Sequence, residues 1–244
     1  MIRLWRSFLG VLSFSVFGLG AGVISFVIFP YIYFVWPENE QKKAYSEVVH
    51  RAWNFFIRLL IKIKIIDIEI PDKEKLKNLS GKIIVANHPT FIDIVILIGL
   101  IPNSTCLAKK ATLKNPFFRN IVKSIYIIND IDLEKLKEDS AKYLSEGFNI
   151  VIFPSGTRTK QDEDFKIHKG PAAISLNSGA EIVSVKITTD IPFLQKGQLF
   201  CDMGAKTVEF KLEVKEPINP KDYADLPEIK ARNAISEKIK ERII

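Results

Sequence analysis

From Ser7 to Pro37 the chain carries no charged side chain, and the run FLGVLSFSVFGLGAGVISFVIFPYIYFVW within it constrains everything that follows. It is longer than the roughly 20 residues a helix needs to cross a hydrocarbon core. It also exceeds the apolar region of about 7–15 residues in a secretory signal, and no small-residue cleavage site follows. The run therefore reads as a retained membrane anchor occupying residues 1–40. Gly18, Gly20 and Gly22 weaken a helix while permitting close backbone approach, and Pro30 removes an amide donor. A spanning helix and a segment that dips into one leaflet and returns both stay open. Gly18-Leu19-Gly20 lies inside the apolar run and is no nucleotide-binding loop.

The net charge of +7 is uneven. Residues 1–40 are neutral, while 41–64 carry Lys42, Lys43, Arg51, Arg58, Lys62 and Lys64 against Glu47, a net +5. The remaining 180 residues contribute only +2. In 41–64, Val48, Trp53, Phe56 and Leu60 recur at helical spacing among the cations. Such a segment suits an amphipathic basic helix lying on an anionic bilayer, or an ordinary helix with a solvated basic face. Nucleic acid is not the expected partner, because the cations adjoin a hydrophobic anchor and no nucleic-acid motif accompanies them. Cys106 and Cys201 form neither a disulfide framework nor a CxxC pair. With only His50, His88 and His168 available, a clustered zinc site is excluded, and no metal is expected.

Beyond residue 64, short β-branched runs alternate with helical stretches. Residues 65–70, 82–87, 124–129, 149–154, 181–188 and 207–214 read as strands, with 105–109 a weaker one. Helices are expected at 91–100, 115–123, 132–146, 170–178 and 228–242, Gly147 stopping the third. Residues 188–206 read as an irregular connection at the sheet edge. The alternation predicts an α/β domain over 65–244, with a mixed, largely parallel sheet flanked by helices.

Two strand ends carry chemistry. The strand at 82–87 runs into His88-Pro89-Thr90-Phe91-Ile92-Asp93. A turn at Pro89 would let Asp93 hold one ring nitrogen of His88 and leave the other basic. Thr90-x-x-Asp93 before an apolar run is equally a capping box, and the two roles are compatible. The strand at 149–154 delivers Pro154-Ser155-Gly156-Thr157-Arg158-Thr159, a turn of exposed amides and hydroxyls with a guanidinium suited to a phosphate. A plain turn with a surface arginine is the competing reading. No GxSxG elbow makes Ser155 a nucleophile.

Asn87-His88-Pro89-Thr90-Phe91-Ile92-Asp93 resembles the NHxxxxD block of the glycerophospholipid acyltransferases, which include the lysophosphatidic acid acyltransferases. Phe153 to Thr159 resembles their FPEGTRS block, and residues 107–130 their intervening block, with Lys109 at its lysine. Phe165 to Gly170 and Glu181 to Lys186 match the end of the pattern. The resemblance implies direct acyl transfer from acyl-carrier protein or acyl-CoA to the hydroxyl of a lysophospholipid or related lipid, without cofactor or metal. It implies His88 as general base, Asp93 as its support, and Asn87, Lys109, Gly156, Thr157 and Arg158 as substrate-binding residues. Membrane lipids are then partners, and the active site belongs on the cytoplasmic face of a bacterial inner membrane. Three positions depart from the pattern: Ser155 for a glutamate, Asp130 near a usual arginine, and Ser184 for a proline. These leave open a tailoring acyltransferase for a non-glycerophosphate lipid (aryl-polyene or ornithine-type). A non-catalytic lipid-binding protein is the rival from another class.

Overall fold

The computed structural model describes residues 1–129, 132–160, 166–199 and 201–244. The apolar run is one continuous helical stretch from Ile2 to Val35. It comprises α1 (Ile2–Val23), a π-helical turn (Ile24–Ile28) and α2 (Phe29–Val35). The wider π turn precedes Pro30, where an amide is missing, so the helix runs on through the proline instead of folding back. After Trp36 and Pro37 break the helix, α3 (Glu38–Lys62) returns alongside it. The rest alternates: β1 (Ile66–Glu69), α4 (Lys73–Lys77), β2 (Ile83–Ala86), α5 (Asp93–Leu100), β3 (Ser104–Ala108), α6 (Pro116–Ile125) and β4 (Ile127–Ile128). Then follow α7 (Leu133–Ser145), β5 (Asn149–Ile152), α8 (Gly170–Ser178), β6 (Ile182–Thr189), β7 (Val208–Val214) and α9 (Glu228–Ile243).

The sheet order is β1-β7-β6-β2-β5-β3-β4. Every neighbouring pair is parallel except β6–β7. The central strands β2 and β5 are buried along their whole length, as parallel strands covered on both faces must be. Alternation sorts their side chains. Ile84, Ala86 and Val151 join the core under α1, α3 and α5, while Ile83, Val85 and Ile150 join the one under α7, α8 and α9.

The basic segment is a helix, but its apolar side is occupied by protein. Tyr45, Val49, Trp53, Phe56 and Leu60 are buried. His50 Nδ1 lies 2.8 Å from the Ile98 carbonyl oxygen, and Asn54 Nδ2 donates to that of Gly99 at 2.7 Å. Gly99 permits this approach, because a Cβ there would sit 3.0 Å from the Asn54 backbone nitrogen. Arg51, Phe55, Arg58 and Lys62 form the exposed side.

The N-terminal helix lies lengthwise on the body. Phe14, Ala21, Ile24, Phe29 and Ile32 are buried, whereas Trp5, Phe8, Leu12, Leu19, Phe26 and Phe34 are exposed on its outer flank. Arg6, only 9% exposed, donates to the carbonyls of Lys64 (2.7 Å), Ile65 (3.3 Å) and Lys206 (2.7 Å). Arg3 pairs with Asp202 at 2.5 Å. Midway, Asn120 Nδ2 donates to the Ser25 carbonyl at 3.0 Å, and Ser25 Oγ donates to that of Phe117. Gly22 meets Phe117, but Gly18 and Gly20 face open space, so only the last of the three glycines serves close packing.

Two expectations need correction. The strand read over 124–129 shrinks to Ile127–Ile128, because Ile121, Val122 and Ile125 bury one side of α6 and draw Ser124 and Ile125 into the helix. The connection at 188–206 belongs to β6 through Thr189 and then packs inward at Phe193, Leu194 and Met203. Asp130 and Phe165, which entered the resemblance, lie outside the described residues.

Candidate active site

The parallel strands β2 and β5 are neighbours, so the two chemistry-bearing strand ends open side by side. Directly after β2, Asn87 accepts from the Ile187 amide and donates to the Ile187 carbonyl, both at 2.7 Å. Its amide is therefore committed to holding the end of β2 against β6. The chain then turns, and Asp93 opens α5.

Asp93 is wholly buried. Its Oδ2 accepts from His88 Nδ1 at 2.8 Å and from the Thr90 amide at 2.7 Å. Its Oδ1 accepts from Thr90 Oγ1 at 2.5 Å. Orienting the histidine and closing the turn before α5 are thus one arrangement. With a carboxylate accepting at Nδ1, that nitrogen carries the proton and Nε2 is the basic one. The His88 side chain is 18% exposed, enough to meet a substrate.

The second block completes the setting. Phe153 stacks on the His88 ring with centroids 4.1 Å apart and planes 17° from parallel. The Thr159 amide donates to the His88 carbonyl at 3.0 Å. Between them the chain turns at Gly156, whose φ of +66° suits glycine and whose amide donates to the Phe153 carbonyl at 3.0 Å. Ser155 Oγ donates to the Thr157 carbonyl at 2.7 Å. Arg158 Nη1 donates to the Leu194 carbonyl at 3.0 Å and reaches that of Gln195 at 3.4 Å. Its guanidinium carbon lies 5.6 Å from the centre of the Phe91 ring. One edge of this arginine therefore ties the turn to the β6–β7 connection.

His88 opens into a cavity of about 410 Å³. Its wall comes from Phe17 of α1, Trp53 of α3, Phe91, Ile94 and Val95 around the start of α5, Cys106 to Ala108 of β3, Phe118 and Val122 of α6, Tyr126 and Phe153. Burial pushes the Cys106 thiol and the Tyr126 phenol up, so both stay uncharged near neutral pH. Lys109, with Thr112 and Asn115, supplies the polar part of the wall.

Of the residues singled out from sequence, His88 and Lys109 line this cavity and Asp93 stands behind His88. Asn87 lies buried behind them. Gly156, Thr157 and Arg158 form the turn beyond Phe153, outside the cavity lining. The aromatic wall went unrecognised, because its members come from separate elements and share no spacing in the chain.

The sequence profile of the acyltransferase family matches residues 67–188. A 1-acyl-sn-glycerol-3-phosphate acyltransferase from Bacillus subtilis is 29% identical over 182 residues, covering 72% of this chain and 86% of that protein. One of the same name from Borreliella burgdorferi is 28% identical over 155 residues, covering 59% and 62%. Among solved structures, the 1-acyl-sn-glycerophosphate (LPA) acyltransferase from Thermotoga maritima superposes with a TM-score of 0.71 over 99% of this chain and 97% of its own, at 17% identity. That likeness shows a shared fold.

Proposed function

The chain belongs to the acyltransferase family, and on that premise we propose that it moves a fatty acyl chain from a thioester onto the free hydroxyl of 1-acylglycerol-3-phosphate. The observation that carries the reading is a histidine backed by a buried carboxylate and opening into an apolar cavity. A protein that merely held lipid could use Asp93 to close the turn through Thr90, but would have no need of a histidine hydrogen-bonded to it at the cavity wall.

The acyl chain occupies the aromatic cavity, with its thioester carbonyl beside His88. Nε2 removes the proton from the acceptor hydroxyl as that oxygen attacks the carbonyl carbon. Asp93 offsets the positive charge that the ring gains, and Phe153 keeps the ring plane in place. When the tetrahedral adduct collapses, the carbon–sulfur bond breaks, and the departing thiolate takes the proton back from His88. The products are an ester and a free thiol. Lys109 and the turn at Gly156, Thr157 and Arg158 serve the acceptor phosphate, while Asn87 positions the strand that carries His88.

A membrane seat follows from the outer flank of residues 2–35. Its exposed aromatic and aliphatic side chains suit shallow insertion into one leaflet. Arg3 and Arg6 keep the N-terminus on the same side as the body. The enzyme then rests on the cytoplasmic leaflet, where thioester donors are available.

The test incubates the purified chain in vesicles with acyl-carrier-protein or CoA thioesters and a panel of lyso-lipids, following thiol release and ester formation. Acyl transfer to 1-acylglycerol-3-phosphate, abolished by His88→Ala, is the expected result. Thioester consumption no faster than a protein-free blank would overturn the reading.

A further inference from the structure

Charge averaged over residues 65–244 hides a second basic region. From Ile94 to Asn129 there is no Asp or Glu, yet Lys109, Lys110, Lys114, Arg119 and Lys123 fall within fifteen residues. The fold gathers four of them. Lys110, Lys114, Arg119 and Lys123, all exposed, line one open groove of about 520 Å³ with Ala111 and Leu113. Among the described residues, Lys114, Arg119 and Lys123 have no ion-pair partner. Among the described residues no carboxylate lines this groove, so Lys114, Arg119 and Lys123 repel one another and create a positive field that an anionic partner relieves.

The place of this groove gives it a purpose. The 3₁₀ turn Lys110–Lys114 is a shared wall: Ala111 and Thr112 face the catalytic cavity, while Lys110, Ala111, Leu113 and Lys114 face the groove. Resting on the reading that this chain transfers an acyl group, we propose that the groove is the docking face for an acidic protein carrying the acyl donor as its thioester. The carrier would sit outside the wall and pass its acyl arm over the rim at Lys109 to His88.

Two observations favour this occupant over other anions. Among the described residues the groove is lined by no aromatic ring on which an adenine could stack, and its cations are spread over two elements, as the acidic face of a protein requires. Arg119 and Lys123 also stand on the sides of α6 turned away from α1. Phe117 packs at Gly22 of α1, and at about 100° per residue Arg119 and Lys123 lie about 160° and 120° round α6 from it.

The experiment uses the full chain in neutral vesicles with 1-acylglycerol-3-phosphate as acceptor. It compares wild type with the triple charge reversal Lys114→Glu, Arg119→Glu, Lys123→Glu and with the triple Gln variant. For an acyl-carrier-protein thioester, the reversal should raise KM roughly 10–100-fold, the scale on which local charge alters encounter rates, and leave kcat unchanged. The Gln variant should fall between, and added salt should raise the wild-type KM towards it. Acyl-CoA kinetics should stay at wild-type values, which also reports an intact fold. An unchanged KM for the carrier thioester, or failure of wild type to use that donor, would overturn the proposal. Equal losses with acyl-CoA would assign the groove to nucleotide phosphates instead, and lost binding to anionic vesicles with unchanged KM would assign it to lipid. Turnover from neither donor by wild type would refute the acyl-transfer reading itself.

Discussion

Replacing Asp93 with Asn separates charge from geometry at the candidate active site. Asp93 receives three donors: His88 Nδ1 and the Thr90 amide at Oδ2, and Thr90 Oγ1 at Oδ1. An asparagine has two ways to fill that space. With its oxygen in the Oδ2 position it still accepts from the Thr90 amide and from His88, while its NH₂ donates to the Thr90 hydroxyl. The reverse orientation points NH₂ at the Thr90 amide, leaving two buried donors face to face. The backbone therefore selects the first orientation, and His88 keeps its proton on Nδ1. What is lost is the negative charge next to the imidazolium that the proposed mechanism forms. Exchanging a charge-assisted hydrogen bond for a neutral one costs about 1–2 kcal/mol. A full Coulomb interaction at about 4 Å and an effective dielectric near 20 is about 4 kcal/mol. We expect a loss of about 2–4 kcal/mol in the transition state, a fall in kcat of roughly 30- to 1,000-fold. That is below the roughly 10⁴-fold loss seen where the same change installs the wrong tautomer in a Ser-His-Asp triad. Thiol-release kinetics supply kcat, and ¹⁵N spectra of the labelled imidazole report the tautomer. The urea midpoint should barely move, since Asn caps nearly as well as Asp. Wild-type turnover in Asp93→Asn would reduce Asp93 to a cap, and a proton found on Nε2 would refute the orientation argument.

Asn87→Ala leaves the buried Ile187 amide and carbonyl without their side-chain partner. It should cost about 1–3 kcal/mol per orphaned group in urea denaturation, and an unchanged midpoint would remove Asn87 from its positioning role. Arg6→Ala removes one donor from each of three backbone carbonyls, of which that of Lys64 keeps Thr207 Oγ1 and that of Ile65 keeps the Val208 amide. Hydrogen exchange should then quicken in the first turns of α1 while β2 and β5 stay protected; uniform quickening would mean that Arg6 supports the whole fold. Leu19→Asp with Phe26→Asp places charges on the bare outer flank, so flotation should show release from vesicles with the urea midpoint unaltered. Retained flotation would exclude that flank as the membrane contact.

Much of this was legible in the chain because it depends on neighbours in sequence. Strand positions followed from β-branched runs, and α6 began where expected because Asn115 accepts from the Phe117 amide with Pro116 at the first helical position. The turn from His88 to Asp93 spans six residues, so its two possible uses could be stated beforehand. They proved to be one arrangement, since Thr90 supplies two of the donors to the same carboxylate.

What the sequence alone determined, then, is the list of groups able to do chemistry and the local turns that hold them. Tertiary structure decided which groups meet. Phe153 reaches His88 only because β5 pairs with β2, and the aromatic cavity exists only where α1, α3, α5 and α6 converge on β3. The basic helix shows the same division. Its period marked an apolar side, but period cannot say whether lipid or protein covers that side, and here α5 and the N-terminal helix do. The charges behave likewise: the sequence places Lys110, Lys114, Arg119 and Lys123 in one run free of acidic residues, but only a 3₁₀ turn leading into α6 brings them to one groove. Periodicity records what a residue's neighbours in the chain require, whereas burial and electrostatics depend on distances through space that only the folded chain sets.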